Sequence, residues 1–221
     1  YKRQLLNMVL SYKRRNKIAK KIGVFHQDFE AQYQTTTDFV SRMFENNLRD
    51  IEPYWVCLPM GSRCAVSNYQ MYWYPWDPDK EELWVRPMPK MPYIINMDNN
   101  PFDFYRYKMV QEDLYAEFGE WYSRQKKGKT ICLLGIRADE SLNRYRAYAN
   151  DRKTIMQGNQ WTTKMGENWW NAYPIYDWTT KDVWIANGKF DYDYNRIYDL
   201  FWKAGPVSYT HLRAHETGRN L

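Results

Sequence analysis

Two strand-length apolar runs with a helix-length segment between them constrain the fold of this chain more than any other feature. The runs are residues 22–26 and 51–58. Between them an apolar stripe recurs at i, i+1, i+4 and i+5, the spacing of a buried helix face, and consists of Phe39, Val40, Met43 and Phe44. A strand, a helix and a second strand form the repeating unit of a parallel sheet with right-handed crossovers. We therefore predict an α/β fold with a mostly parallel sheet and helices on both faces.

A third apolar run, residues 131–134, follows the turn signal Lys127-Gly128-Lys129. Its length and its apolar side chains predict a central, buried parallel strand. Gly135 comes directly after the run and indicates that the strand ends there.

Several side chains capable of binding or chemistry follow this third strand. They are Arg137, Asp139, Glu140, Ser141 and Arg144. Ligands of open α/β sheets bind beyond the carboxyl ends of the strands, and guanidinium groups match phosphate or sulfate oxygens two at a time. The pattern predicts an anion site. The start of a salt-bridged helix, with the acids in its first turn and the arginines one turn later, accounts for the same residues and stays open.

Two sequence blocks resemble the phosphoadenosine phosphosulfate (PAPS) reductase family, within the adenine nucleotide α-hydrolase-like superfamily. GIRADESLNRYRA, residues 135–147, resembles the family's Gly-x-Arg-x-(Asp/Glu)-(Glu/Gln)-Ser-x-x-Arg signature. PIYDWTTKDVW, residues 174–184, resembles its Pro-Leu-x-x-Trp-Thr-x-x-Asp-Val-Trp segment. Residues 28–33 and 202–205 resemble segments of a poorly characterised, PAPS reductase-like branch, so the resemblance extends over residues 22–205.

The resemblance implies a Rossmann-like fold and an adenine nucleotide ligand, ATP or PAPS, with Mg²⁺ as a possible companion. It implies that Arg137 and Arg144 contact phosphate or sulfate oxygens, and that Asp28 and Glu30 flank the nucleotide after the first strand of the chain. Purely structural roles stay open for both acids, with Asp28 beginning a turn and Glu30 capping the next helix.

The resemblance implies a transferase or an oxidoreductase that cleaves ATP between the α and β phosphates or acts on a sulfonucleotide. No catalytic residue can be assigned, because the chain has no Ser-Gly-Gly-Lys-Asp-Ser phosphate loop and no cysteine after Cys132. Thiol-based reduction is therefore not expected. We expect residues 1–205 to be one domain without the family's first strand and phosphate loop, and to be inactive as they stand.

An alternative function comes from the distribution of charge. The formal net charge is +6, and residues 2–21 hold eight lysines or arginines and no acid. Leu5, Leu6, Met8, Val9 and Tyr12 fall on one face of an amphipathic helix, and Lys13, Arg14, Arg15 and Lys17 lie where they complement its C-terminus. Members of the resembling branch are thought to act beside a ParB-like protein. The alternative is therefore a non-catalytic regulatory or DNA-linked module, although a solvated helix face accounts for the same charges.

Residues 59–101 contain seven prolines among many tyrosines and tryptophans. This composition predicts a long insertion without regular helix. The insertion could serve as a lid, as a partner surface or as packing over a sheet edge. After it we predict a helix over residues 102–125, with Asn100 as N-cap and Pro101 in the first turn.

The rest of the chain is predicted from shorter signals. We expect a loop over residues 152–171, in which Lys164 could reach a phosphate, and a short strand over 173–175. Thr179 and Asp182 have the spacing of a capping box. A last helix over 197–203 is expected to end at Gly205.

Three cysteines, no secretory leader and no apolar run near 18 residues predict a cytoplasmic protein without a membrane segment. No cysteine or histidine spacing predicts a metal site. Residues 206–221 resemble the translation of a sequencing adapter, as expected for a metagenomic fragment, so His211 and His215 are set aside with that tail.

Overall fold

The computed structural model describes residues 2–64, 66–67, 69–150 and 152–204, which form a mixed α/β structure. In chain order its elements are α1 (Lys2–Arg15), β1 (Ile22–Gln27), α2 (Gln34–Glu45), β2 (Ile51–Val56), β3 (Ser62–Arg63), β4 (Tyr72–Trp73), β5 (Ile94–Ile95), α3 (Gln111–Lys126), β6 (Thr130–Leu133), α4 (Leu142–Ala149), β7 (Thr162–Lys164), β8 (Trp169–Ala172), α5 (Thr180–Phe190) and α6 (Ile197–Lys203).

The chain divides into two compact units. Unit 1 consists of residues 1–19 and 112–194, and unit 2 consists of residues 20–111 and 195 onward. Each unit contains a three-stranded sheet, in the order β6-β8-β7 in unit 1 and β1-β2-β5 in unit 2. The prediction that residues 1–205 form one domain stays a prediction.

The predicted βαβ unit is confirmed in unit 2. β1 pairs in parallel with β2 from Ile22↔Ile51 to Gln27↔Val56, and α2 connects the two strands. The predicted apolar stripe of α2 is buried, and the Phe44 ring centroid lies 5.5 Å from that of Trp55 on β2. Local apolar periodicity was sufficient here because strand, helix and strand are consecutive in the sequence.

The third strand of this sheet comes from the Pro/aromatic insertion. β5 pairs in parallel with β2 through Trp55↔Ile94 and Val56↔Ile95. The insertion also contains a small antiparallel ladder between β3 and β4. Part of residues 59–101 therefore extends the sheet, which the sequence pattern did not predict because a two-residue strand has no periodicity to detect.

Unit 1 combines parallel and antiparallel pairing. β6 pairs in parallel with β8, and β7 pairs antiparallel with β8. α3 lies close to β8 at Gly119, where a methyl group would overlap the ring of Trp169. Helices α1 and α5 meet through a buried hydrogen bond from Gln4 Nε2 to Asn187 Oδ1 of 3.1 Å.

The prediction of a central, buried strand at residues 131–134 is wrong for the part of the chain that the structure describes. There β6 is an edge strand of its sheet and has one strand neighbour, β8. Ile131 is 47% exposed and Leu133 is 40% exposed. An apolar run predicts a strand, but it does not say how many neighbours that strand has.

Three further predictions are corrected. The helix expected from residue 102 begins at Gln111 as α3, because the Asn100 side chain accepts a hydrogen bond from Phe102 N in a local turn and Lys108 has a left-handed φ of 59°. The loop expected over 152–171 contains β7 and the start of β8. The strand expected at 173–175 lies earlier, at β8.

The structure confirms three more of the predicted elements, namely α1, the capping box at the start of α5, and α6. Gly205 and the adapter-like tail, with His211 and His215, lie outside the described residues. No helix in the described ranges combines the length and the apolar character needed to span a bilayer.

Candidate functional site

The loop after β6 connects the two sequence blocks that resemble the PAPS reductase family. Leu134 N donates to Ala172 O at 2.9 Å, so β6 and β8 end side by side. Ala138 N donates to Tyr176 O at 2.8 Å. Through these bonds residues 135–147 and 174–184, which are separate in the sequence, form one region at the carboxyl ends of β6 and β8.

Arg137 lies at the centre of this region and is 2% exposed. Its guanidinium donates at 3.2 Å to three oxygens, Glu140 Oε1, Trp178 O and Thr180 Oγ1. Asp139 Oδ2 lies farther away, at 3.5 Å from Nη1. Arg137 therefore joins the loop after β6 to the start of α5 and points into the protein.

Arg144 is the more accessible guanidinium, with a side chain 24% exposed. It forms an ion pair with Glu140, whose other oxygen faces Arg137. Ser141 is the N-cap of α4, since its Oγ accepts a hydrogen bond from Arg144 N at 3.3 Å. The predicted salt-bridged helix start is therefore present, and Glu140 lies between two arginines.

A second helix begins at the same region. Thr179 and Asp182 form a reciprocal capping box at the start of α5. The pKa of the Asp182 carboxyl is lowered, first by the hydrogen bond from the Thr179 side chain and then by the bond from the Thr179 backbone, with Arg137 contributing at longer range. Asp182 is therefore an anion at neutral pH, and two helix N-termini lie close to the two arginines.

The charges in this region nearly balance. Arg137 and Arg144 are offset by the three nearby carboxylates Asp139, Glu140 and Asp182. An incoming anion does not meet a free cation pair, but must replace a carboxylate as the partner of an arginine. Arg144 is the arginine better placed for this exchange because it is partly exposed.

Asp28 and Glu30 belong to unit 2, where they come together after β1. The Asp28 side chain is fully buried and accepts hydrogen bonds from Trp55 Nε1 at 2.9 Å and Glu30 N at 2.8 Å. It also forms a 2.5 Å ion pair with Arg86 of the insertion. Protein donors therefore surround both of its oxygens.

Glu30 holds the same insertion through its carboxylate. One oxygen accepts from Trp76 N at 2.9 Å, and the other accepts from Val85 N at 2.8 Å. Glu30 does not cap α2, whose N-cap residue is Tyr33 and lacks a side-chain cap bond. Its own backbone is left-handed, with a φ of 60°, a conformation that non-glycine residues adopt only when their surroundings impose it.

Sequence reasoning missed Arg86. Buried charges are paired or hydrogen-bonded, so the burial of Asp28 predicts such a partner once the structure shows it. The insertion, however, has four candidates, Arg63, Lys80, Arg86 and Lys90, and no local pattern separates them. Arg86 is distinguished only in three dimensions, where its guanidinium also lies 4.9 Å from the centroid of the Trp76 ring.

Two of the cysteines, Cys57 and Cys132, have thiols that resist ionisation. Burial raises the pKa of Cys57 well above its ordinary range, and the nearby Asp28 adds to the effect. Burial also raises the pKa of Cys132 to about 11. Neither of these two thiols is a thiolate at neutral pH.

The described residues contain no group of three or more histidines, cysteines, aspartates or glutamates that could hold a metal ion. Lys164, the lysine expected within reach of a phosphate, ends β7 and pairs with Trp170 near the start of β8. Lys164 therefore lies near the amino-terminal end of β8, whereas Arg137 lies beyond the carboxyl ends of β6 and β8. Lys164 is not part of the region at the carboxyl ends.

The chain is similar to an uncharacterised protein, YbdN of Escherichia coli (strain K12). The two are 37% identical over 202 residues, which are 90% of this chain and 48% of YbdN. The chain thus spans about half the length of this relative. No family model matches the chain, and no solved structure matches it.

Proposed function

We propose that the intact protein is a PAPS reductase-like protein with a Rossmann-like fold, which binds ATP or PAPS at the carboxyl ends of β6 and β8. The observation that carries the proposal is the convergence of the two resembling sequence blocks around Arg137, which bonds to Glu140 in one block and to Trp178 and Thr180 in the other. Such convergence is expected if both blocks serve one ligand.

Two helix N-termini and the partly exposed Arg144 support an anionic ligand. Helices α4 and α5 both begin beside the two arginines, and helix N-termini favour negative charge. In the proposed complex a phosphate or sulfate oxygen takes the place of Glu140 as the partner of Arg144. Asp139, half exposed, is the acid of this loop most open to a Mg²⁺ ion carried by the nucleotide.

The two arginines then have different roles. Arg144 contacts the ligand, whereas Arg137 is a positioning residue that holds the loop against α5. ATP cleavage between the α and β phosphates, or chemistry on a sulfonucleotide, develops negative charge on oxygens that a guanidinium stabilises. The resemblance implies nucleotide-flanking roles for Asp28 and Glu30, and in their own unit these two residues hold the insertion.

The proposal is tested by measuring ATP and PAPS affinity of the intact protein by titration calorimetry. We expect Arg144→Gln to weaken binding by about 10- to 100-fold, the loss of one hydrogen-bonded charge pair. Arg146→Gln, on the exposed side of the same helix, is the matched control and should bind like the wild type. Equal affinity of the two variants, or no binding by the wild type, would refute the proposed site.

A second candidate is a cytoplasmic, DNA-linked regulatory module that acts with a ParB-like partner. Arg14 and Arg15 favour it, because both are exposed in the last turn of α1, whose first turn has no acid. Lys13 is buried and is not part of that surface. This function predicts salt-sensitive DNA binding that Arg14→Gln with Arg15→Gln removes and Arg144→Gln leaves intact.

A further inference from the structure

A second cationic feature of unit 1 lies at the amino-terminal end of its sheet. Lys129 directly precedes β6, and Lys164 is the last residue of β7. The Nζ atoms of both lysines lie 5.8 Å from the centroid of the Trp170 ring. The two ammonium groups are thus at most twice that distance apart, although they come from different strands.

These two lysines have the ring of Trp170 as their shared partner. Cation–π attraction holds each ammonium near the ring, and the two together concentrate positive charge at this end of the sheet. Within the described ranges, neither lysine has a carboxylate in salt-bridge range. Glu167, in the turn between β7 and β8, is the acid nearest to Lys164 in the sequence. Its backbone N donates a hydrogen bond to a side-chain oxygen of Glu120.

The turn that leads into β6 adds more positive charge. Residues 124–129 contain Arg124, Lys126, Lys127 and Lys129 and no acid. The end of α3 accounts for part of this pattern, since cations there complement the helix dipole. Lys129 lies beyond the helix, however, and Lys164 comes from another strand, so the dipole does not explain the Lys129–Lys164 pair.

We infer that Lys129 and Lys164, with the turn before β6, form a binding surface for the phosphodiester backbone of nucleic acid. Both lysines are exposed. Small phosphates are usually held by several converging backbone N–H groups, whereas exposed lysines gain affinity from a chain of repeated phosphates. Trp170 is only 9% exposed, so it offers little face for base stacking, and binding should depend weakly on sequence.

This surface is separate from the proposed nucleotide site. The two lie at opposite ends of β6, a strand of four residues that spans about 13 Å. The inference therefore does not rest on the proposed adenine nucleotide function. It also differs from the basic end of α1, which belongs to the second candidate function.

The test is fluorescence anisotropy of the 221-residue chain with a labelled 20-nucleotide single-stranded DNA and with a duplex, over a series of salt concentrations. We expect Lys129→Gln with Lys164→Gln to reduce the magnitude of the log affinity against log salt slope by about 1.4 on the single strand, the value for two lost phosphate contacts. Lys181→Gln with Lys189→Gln, two exposed lysines of α5, is the matched control and should leave the slope unchanged. Circular dichroism checks that each variant is folded.

Three results would overturn the inference. The first is no DNA binding by the wild type. The second is an unchanged slope in the Lys129 and Lys164 double variant, and if Arg14→Gln with Arg15→Gln lowers the slope instead, the DNA surface is the end of α1. The third is competition by polyglutamate as strong as that by DNA at equal charge, which would identify an acidic protein segment as the partner.

Discussion

Each of the two units has a buried charged side chain after a parallel strand, but the contacts of that side chain differ between the units. In unit 2, Asp28 after β1 is fully buried and is enclosed by Trp55, Arg86 and the backbone of Glu30. In unit 1, Arg137 after β6 is nearly as buried, yet its partner Glu140 also pairs with the partly exposed Arg144, and its other acid, Asp139, is half exposed. Burial of a charge therefore does not by itself distinguish a structural anchor from a candidate ligand site, and the two units differ in whether the buried charge is linked to a partly exposed one.

Loss of Asp28 should destabilise the protein most. Asp28→Ala leaves Arg86 without its anion in a buried place, and breaking such a pair costs about 3–5 kcal/mol. Urea denaturation followed by tryptophan fluorescence should show a corresponding fall in the free energy of unfolding. Asp98→Ala, an exposed acid of the same insertion, should change little.

A double variant shows whether the unpaired cation is the cause. Replacing Arg86 by Met in addition to Asp28→Ala removes the uncompensated charge, and we expect it to recover part of the lost stability. If Asp28→Ala costs no more than Asp98→Ala, the view of Asp28 as the anchor of the insertion is wrong.

Arg137 should contribute less to stability than Asp28. Arg137→Met leaves Trp178 O and Thr180 Oγ1 without their donor, but Glu140 keeps Arg144 and Asp139 is half exposed. We expect a loss of about 1–3 kcal/mol in the same denaturation experiment. A loss as large as that of Asp28→Ala would remove the contrast between the two units.

A change at the start of α5 should destabilise the protein least. Thr179→Ala removes the cap of this helix, which typically costs about 1 kcal/mol. The pKa of Asp182 is lowered in the fold, so its stabilising contribution is present above its ordinary value of 3.8 and is lost as the pH falls through the lower folded pKa. The difference between wild type and Thr179→Ala should therefore shrink in acid, and a constant difference would exclude the Asp182 anion as its source.

The elements that the sequence predicted well depend on neighbours along the chain. The buried stripe of α2 and the Thr179 capping box each require residues no more than a few positions apart. The strands β1 and β2 were predicted because each has an apolar run of ordinary length. Ser141 was predicted as part of the site, and its specific role as N-cap of α4 follows only from its bond to Arg144 N.

The missed features depend on contacts between distant residues. Arg86 pairs with Asp28 across 58 positions, and β5 joins β2 through only two residue pairs. The helix predicted over 102–125 begins only at residue 111, because no sequence pattern indicates the left-handed backbone of Lys108. For the candidate site, residues 137–144 were expected together because they are consecutive, whereas the pairing of Asp139 and Glu140 with the arginines could be placed only by the structure.

The exposed position of β6 has a consequence for handling the protein. An edge strand offers a row of backbone donors and acceptors to any extended segment that approaches it, and apolar side chains on that strand add a dry contact. Ile131 and Leu133 supply such side chains on alternate positions of β6. Concentrated solutions of this chain are therefore most prone to strand-to-strand self-association at β6, and a charged side chain at position 133 is the natural safeguard against it.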